Sequence, residues 1–292
     1  MKGLILAMTM AAMAPGAELK IDHATVCGTN LEAMRSALTA VAGVPTEYGG
    51  PHSNHATEMA LVSFPDGSYL EVMGIQAKAD PAAVAMHVWS KFLKNNAGPC
   101  AFALHVTDIA REVKELSAAG TEAGRIESAG RTRPDGKKLE WQTANVGPGN
   151  RGSLFPFLIA DQTPRELRAY PSGKATTEKY PGIARVLVGV HDLDGAIAQY
   201  RKAFHLAEPM RQRDPGFGAD LAWFEGTPII LAKGINSSSW LTKRVDEYGD
   251  APVGFLLAKG KGGMRGSPSE WFGHKVFWMD DSKLGWHLGI LI

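Results

Sequence analysis

HATVCGTNLEAMRSAL (His23–Leu38) reads as a strand, a polar turn and a helix, and the chain writes the same pattern twice more. The other copies are AFALHVTDIAREVKEL from Ala101 and RVLVGVHDLDGAIAQYRKAF from Arg185. Asn30-Leu31, Asp108-Ile109 and Asp192-Leu193 stand at one offset and open the helices. A unit repeated at this scale means a fold built by stacking like pieces. The residue that begins each copy differs: His23, Ala101, Arg185. That position is where function should be sought.

Working outward, each first strand alternates. Ala24 and Val26, Phe102 and Leu104, and Val186 and Val188 share a face that seeks a helix-covered core. The opposite face carries His23, Thr25 and Cys27, then Ala103 and His105, then Leu187 and Gly189. Apolar stripes follow in the helices, as in Leu31, Met34, Leu38 and Val41. Thr29 with Glu32 suggests a capping box, and Asp192 an N-cap. Further strands come after each helix: HATEMALVSF and SYLEVMG, LEWQTANV and SLFPFLIA, LAWFEG and TPIILAKG. Each unit is therefore βαβββ. A fourth is degraded: PVGFLLA opens it, no amphipathic helix follows, and HKVFWMDD and WHLGILI close it. The expected organisation is a module at 20–162 (two units), a Pro-, Ser- and Thr-rich linker at 163–181, and a second module at 182–292.

Bulk properties narrow the partners. The chain has 292 residues, 31 basic against 30 acidic side chains, and 45% apolar residues. Such a balance makes no field for nucleic acid or an anionic membrane, and a small-molecule ligand is the natural partner. Residues 1–17 carry Lys2, a short apolar run and the break Pro15-Gly16-Ala17, the pattern of a signal peptide. Export to the periplasm or outside is expected if it acts as one, a cytoplasmic location otherwise. No later segment reads as a membrane span. Cys27 and Cys100 are the only cysteines; strand alternation places them on unlike faces, so two free thiols are expected.

IDHATV (Ile21–Val26), GSYLEVMG (Gly67–Gly74), RTRPDGKKLEW (Arg131–Trp141) and FPFLIADQTPRELR (Phe155–Arg168) occur in this order. With them the chain resembles the glyoxalase-like domain family of the vicinal oxygen chelate superfamily, which includes glyoxalase I and the extradiol dioxygenases. The resemblance covers roughly residues 20–170 and extends through the third unit. It implies an α+β fold in which paired βαβββ units form cupped mixed sheets with helices outside. It also implies a divalent metal on the cup floor, held by the first and last strands, that stabilises an enolate or activates dioxygen.

Carried over residue by residue, the resemblance makes His23 and Glu71 the metal ligands and Glu71 the catalytic proton carrier. The metal would be Zn, Mn, Fe or Ni. Unit two offers Ala101 and, near the Glu position, Leu158-Ile159-Ala160, and unit three offers Arg185 with Ile230 or Leu231. None of these binds a metal, and two ligands fall short of the usual three. The alternative is therefore that His23 and Glu71 hydrogen-bond each other without metal. His52 and His55 stand near the cup's rim. His105 lies inward but ~13 Å along its strand from the ligand position. Arg133 and Trp141 either line one wall of the cup or belong to an ordinary turn and core. These five are the candidate substrate-binding residues. Two functions follow: a metal-dependent lyase, isomerase or dioxygenase acting on a small oxygen-rich or aromatic metabolite, or a metal-free binding or sequestering protein. The third and fourth units would then be structural, or would form a homodimer contact. No nucleophile elbow, phosphate loop, zincin helix or dinucleotide fingerprint is present.

Overall fold

The computed structural model describes residues 19–133, 135–261 and 267–292. Unit one runs β1 (Ile21–Cys27), α1 (Leu31–Ala42), β2 (Glu47–Pro51), β3 (Thr57–Ser63) and β4 (Tyr69–Ile75). Two short helices, α2 (Pro81–Met86) and α3 (Ser90–Lys94), lead to unit two. That unit is β5 (Gly98–His105), α4 (Ile109–Ala118), β6 (Glu127–Thr132), β7 (Lys138–Ala144) and β8 (Phe157–Asp161), followed by α5 (Arg165–Ala169). Unit three is β9 (Ile183–Gly189), α6 (Leu193–Phe204), β10 (Met210–Asp214), β11 (Ala219–Trp223) and β12 (Ile229–Gly234), followed by α7 (Trp240–Tyr248). Unit four has β13 (Ala251–Ala258), β14 (Ser269–Trp271), β15 (His274–Trp278), α8 (Asp281–Leu284) and β16 (His287–Leu291).

The strands form two eight-stranded mixed sheets of identical plan, β2-β3-β4-β1-β5-β8-β7-β6 and β10-β11-β12-β9-β13-β16-β15-β14. In each unit the last strand returns parallel to the first, and the two first strands of a module meet antiparallel. This is the α+β arrangement of the vicinal oxygen chelate type. The apolar faces of both sheets share one core with α1, α4 and α6, including Val26, Leu38, Phe102, Phe155, Tyr200 and Phe255. Helix α1 starts where Asn30 Oδ1 accepts the Ala33 N–H at 2.9 Å and stops at Gly43, whose φ of 63° suits glycine. The cap is thus Asn30 and not a Thr29–Glu32 box. Thr29 bonds the Asn96 side chain instead, and Glu32 pairs with Arg35.

The first strands share a further feature. β1 steps from Ile21 opposite Leu104 to His23 opposite Ala103, leaving Asp22 as an extra residue. β5 does the same, with Pro99 opposite Val26, Ala101 opposite Thr25 and Cys100 extra. In the second sheet Ala184 and Val253 are the extra residues. Each is a β-bulge placed just before the variable position, and a bulge turns two successive side chains from strict alternation. This overturns the expectation for the cysteines. Taking Cys100 out of alternation brings it to Cys27, and the two form a disulfide with their Cα atoms 6.0 Å apart. It joins β1 to β5 within a buried cluster with Met73, Trp89, Leu93 and Ala101.

The second sheet has the shape of a cup but is packed shut. Phe217 lies in its middle with the rings of Trp240, Trp271, Trp278 and His287 centred 5.2, 5.0, 4.9 and 5.3 Å away. Leu187, Leu221, Ile230 and Leu256 complete the filling. The Pro- and Ser-rich segment after β8 lies against the first module. Ser172 bonds Glu47, the Tyr180 hydroxyl donates to the Ala42 carbonyl, and the Ser68 hydroxyl accepts the Ile183 N–H. The signal-peptide expectation concerns residues 1–17, which lie outside the described residues. Among the described residues no helix is long and apolar enough to cross a membrane.

The disulfide closes a loop of 73 residues. On the chain-entropy account such a crosslink is worth about 4 kcal/mol. Reduction, or a Cys27→Ser/Cys100→Ser double variant, should lower the thermal midpoint by several degrees. An unchanged midpoint in calorimetry would show that the buried cluster holds the two strands unaided.

Candidate functional site

The first cup encloses a cavity of about 400 Å³, within the range of small-molecule sites. β1 and β4 supply its floor. Thr25 is opposite Glu71, and His23 is opposite Tyr69. The bulge at Asp22 lets two neighbouring residues cooperate: His23 Nδ1 donates to Asp22 Oδ1 at 2.6 Å. A carboxylate can only accept, so Nδ1 carries a proton and Nε2 is the nitrogen turned to the cup; its lone pair is free whenever the ring is neutral. That Nε2 lies 3.9 Å from Glu71 Oε2. The ring itself is stacked on Tyr69, centroids 4.8 Å apart, with the Phe157 edge at 5.4 Å.

His52 joins from the other side. Its Nδ1 is 2.8 Å from the Thr57 hydroxyl, and its Nε2 is 3.6 Å from Glu71 Oε1. Glu71 thus has an imidazole off each carboxylate oxygen, and its hydrogen bond comes from the Thr25 hydroxyl at 3.1 Å. Neither imidazole contact is short enough for a hydrogen bond. A direct His23–Glu71 hydrogen bond, the expected metal-free arrangement, is not what the structure shows. Burial pushes the Glu71 carboxyl up, but His52, the charge of His23 and the Thr25 hydroxyl outweigh it and hold it at about 2. Glu71 is a carboxylate at any physiological pH.

Behind His23 lies a buried ion network. Asp22 is fully buried and takes Arg168 through Nη1 and Nη2, both at 2.8 Å, and Arg165. Arg168 also holds Asp161, at 2.6 and 2.8 Å, and donates to the Tyr69 hydroxyl at 2.7 Å. Burial of Asp22 opposes its ionisation, yet Arg168 and His23 keep its carboxyl well below the usual range. Among the described residues, Asp22, His105 and Asp161 form a group of three metal-type ligands whose donor atoms fall within 4.8 Å of one another. Both carboxylates there are already engaged by guanidinium groups, so that cluster reads as an ion-pair network and not as a metal centre.

The sequence-derived candidates divide. His23, His52, Glu71 and Trp141 line the cavity. His105 does not; it sits beyond the end of the cup, 3.6 Å from Asp161. His55 is exposed on the β2–β3 loop in a left-handed conformation, φ 57°. Arg133 is buried elsewhere, donating to the carbonyls of Leu167, Tyr170 and Pro171, so it clamps the chain around α5 and does not line the cup. Arg131, two residues earlier and still within β6, lines the cup in its place. The register also corrects unit two. Glu71 is opposite the second residue after His23, and the equivalent residue opposite Ala103 is Phe157, not Leu158, Ile159 or Ala160. The Ala101 corner is closed as well: a Cβ on Gly152 would stand 2.8 Å from the Ala101 methyl. In the second module the four corners are Arg185, Ile230, Gly254 and Gly289, with no carboxylate.

Other lining residues were missed from sequence. His87 and Trp89 come from the insertion around α2 and α3, and Arg151 from the loop before β8. The Trp89 indole N–H donates to the Arg151 carbonyl at 3.0 Å, which ties the two segments together over the cup. His87 Nδ1 accepts the Trp89 backbone N–H at 3.2 Å, so Nε2 carries the proton, and burial holds its pKa down.

The family model of the glyoxalase-like domain matches residues 21–204. The chain belongs to this family. Among solved structures, a hypothetical protein from Staphylococcus aureus superposes with a TM-score of 0.62 at 14% identity, covering 93% of this chain and 98% of the other. A triple mutant of 4-hydroxymandelate synthase from Streptomyces coelicolor has a TM-score of 0.52 at 15% identity, covering 82% of this chain and 71% of that one. These likenesses establish the shared fold. No curated protein matches the sequence. The match spans the first module and the opening strand and helix of the second. At the four corner positions of each sheet, acid and imidazole stand only in the first.

Because the Glu71 carboxyl is held at about 2 against a usual 4.5, its contribution to stability is complete above about pH 4.5 and disappears as pH falls toward 2. Urea unfolding at about pH 5 and pH 3 should show a loss for the wild type and a smaller one for Glu71→Gln. Equal losses in both proteins would remove Glu71 from the acid-sensitive set.

Proposed function

We propose that the first cup binds a small oxygen-bearing organic molecule beside a divalent cation held by His23, His52 and Glu71. The observation that supports this reading most is the matched preparation of the two imidazoles. Each has Nδ1 engaged, by Asp22 or by Thr57, and each has Nε2 toward a different oxygen of the same carboxylate. Outer partners on the far ring nitrogen are the usual mark of metal-ligating histidines. Two imidazoles and one carboxylate also form a donor set that suits zinc and the other first-row divalent ions. His52 thereby supplies the third ligand that the resemblance alone did not.

Such an ion, when bound, polarises a ligand oxygen and stabilises negative charge there. The chain's own residues do the rest. Asp22 fixes the His23 ring; Thr25 and His52 fix Glu71. Phe157 and Trp141 present apolar faces to the ligand body. His87, neutral and protonated on Nε2, is a donor for an oxygen that becomes basic. Isomerase, lyase and dioxygenase chemistry all use this arrangement. A second reading, metal-free binding or sequestration, draws on Ala101 and Phe157, which fill two of the four corners with groups that bind no metal.

Elemental analysis of the purified protein, followed by titration with Zn²⁺, Mn²⁺, Fe²⁺ and Ni²⁺ under thermal melting, decides between them. Stoichiometric metal or a raised midpoint is expected. His23→Ala and His52→Ala should each weaken binding by more than the ~10–100-fold typical of outer-partner changes such as Asp22→Asn. No metal and no shift would leave the metal-free reading.

We propose export as well, since a buried disulfide suits an oxidising compartment. Mass spectrometry of protein from its native host should find a chain starting near residue 18. One that begins at Met1 would reject cleavage.

A further inference from the structure

We infer that the ligand of the first cup is a small planar organic anion whose carboxylate is anchored by Arg131. This rests on the cup being a ligand site, and it goes on to name the class of ligand.

The argument begins with charge. Arg165 and Arg168 are balanced by Asp22 and Asp161 within their own network. That leaves Arg131 and Arg151 as the other arginines lining the cavity, where Glu71 is the lining carboxylate, and Arg151 has Glu127 as a partner outside it. The two arginines are not alike. Arg151 donates to Thr143 and Asn145 at 2.8 and 2.9 Å, lies over the Phe157 ring at 5.0 Å, and is 3.4 Å from Glu127. Arg131 makes one hydrogen bond among the described residues, from Nη1 to the Gly49 carbonyl at 2.7 Å. No carboxylate lies within 4 Å of it among those residues, although it is half-buried. Its Nε and Nη2 have no protein acceptor there, so the donors left over are available to the cavity that Arg131 lines. A guanidinium removed from water without an acid partner is costly, and its planar fork matches a carboxylate. Burial accordingly works against its charge.

Geometry adds the planar part. On the β6–β7 hairpin Ala129 is opposite Trp141, and Arg131 is two residues along, on the same face. Diagonal neighbours of this kind are ~7–8 Å apart, within reach of an indole and a guanidinium acting on one molecule. The small Ala129 and Gly130 leave the face of Trp141 open to the cavity. Because Arg131 also reaches across to Gly49 on the opposite edge of the sheet, its guanidinium is held in place before a ligand arrives. Little side-chain entropy would then be lost on binding.

The test uses the full chain and three probes of one shape: benzoate, benzamide and benzylammonium, followed by calorimetry and tryptophan fluorescence. Benzoate should bind at least about tenfold more tightly than benzamide, the ratio that a charge-assisted hydrogen bond supplies, and benzylammonium should not bind. Arg131→Gln should abolish the preference for benzoate and leave benzamide unchanged. Arg131→Lys, which keeps the charge without the fork, should retain part of it; this variant serves if Arg131→Gln does not fold. Benzoate binding no tighter than benzamide, no benzoate binding, or an intact preference in Arg131→Gln would each overturn the inference. His23→Ala, run alongside, separates the two readings: loss of metal there with the benzoate preference intact concerns the cation site alone.

Discussion

The buried charge of Asp22 is the constraint on which the cup depends. A carboxylate with no access to water is tolerable only when fully paired, and Asp22 recruits its partners from distant parts of the chain. Arg165 and Arg168 arrive from the helix after the last strand of unit two, and they bring Asp161 and the Tyr69 hydroxyl into the same network. The front of the network is His23, whose ring is oriented by the same carboxylate. One ion cluster therefore does two jobs. It locks the last strand of unit two against the first strand of unit one, and it decides which nitrogen of His23 faces the ligand.

The bulge that makes Asp22 available recurs in all four units, and each copy uses it differently. In unit one the paired residues are an acid and the histidine it orients. In unit two they are Cys100 and Ala101: the first is tied covalently to Cys27, and the second is closed over by Gly152. In unit three they are Ala184 and Arg185, whose guanidinium lies over Trp223 at 4.9 Å. In unit four they are Val253 and Gly254. A backbone irregularity kept constant thus carries electrostatics, a crosslink, a stacked cation and plain packing in turn. Only the first of these leaves an open cavity with a charged floor.

Much of the fold was legible. The first strands, the helices and the paired inner strands follow from period-two and period-3.6 patterns, and the βαβββ grouping follows from their order. The outer strands β2, β6, β10 and β14 were hard to place, because their residues are polar or exposed and carry little alternation. The site was half legible. His23 and Glu71 stand on buried strands where register is strict, whereas His52, His87 and Arg151 reach the cup from loops that no pattern aims. Bulges account for the clearest error: one extra residue at position 100 reverses which side Cys100 takes, and no periodicity announces it. Arg131 and Arg133 exchange roles for a different reason: they share a parity that alternation cannot separate, and β6 ends at Thr132, so Arg131 keeps the cup face while Arg133 falls in the turn.

The single hydrogen bond from Arg131 to Gly49 also bears on how these molecules coexist in solution. It joins the two outermost strands of the first sheet across the cup mouth. Gln212 does the same in the second, accepting the Phe272 N–H at 2.7 Å and donating to the Glu270 carbonyl at 2.5 Å. An open sheet offers its rim strands to any passing chain, and such rims are where β proteins polymerise. Here each sheet turns its rims toward one another and fastens them with one side chain. The curvature that makes a ligand chamber is thereby also a safeguard against strand-by-strand self-association.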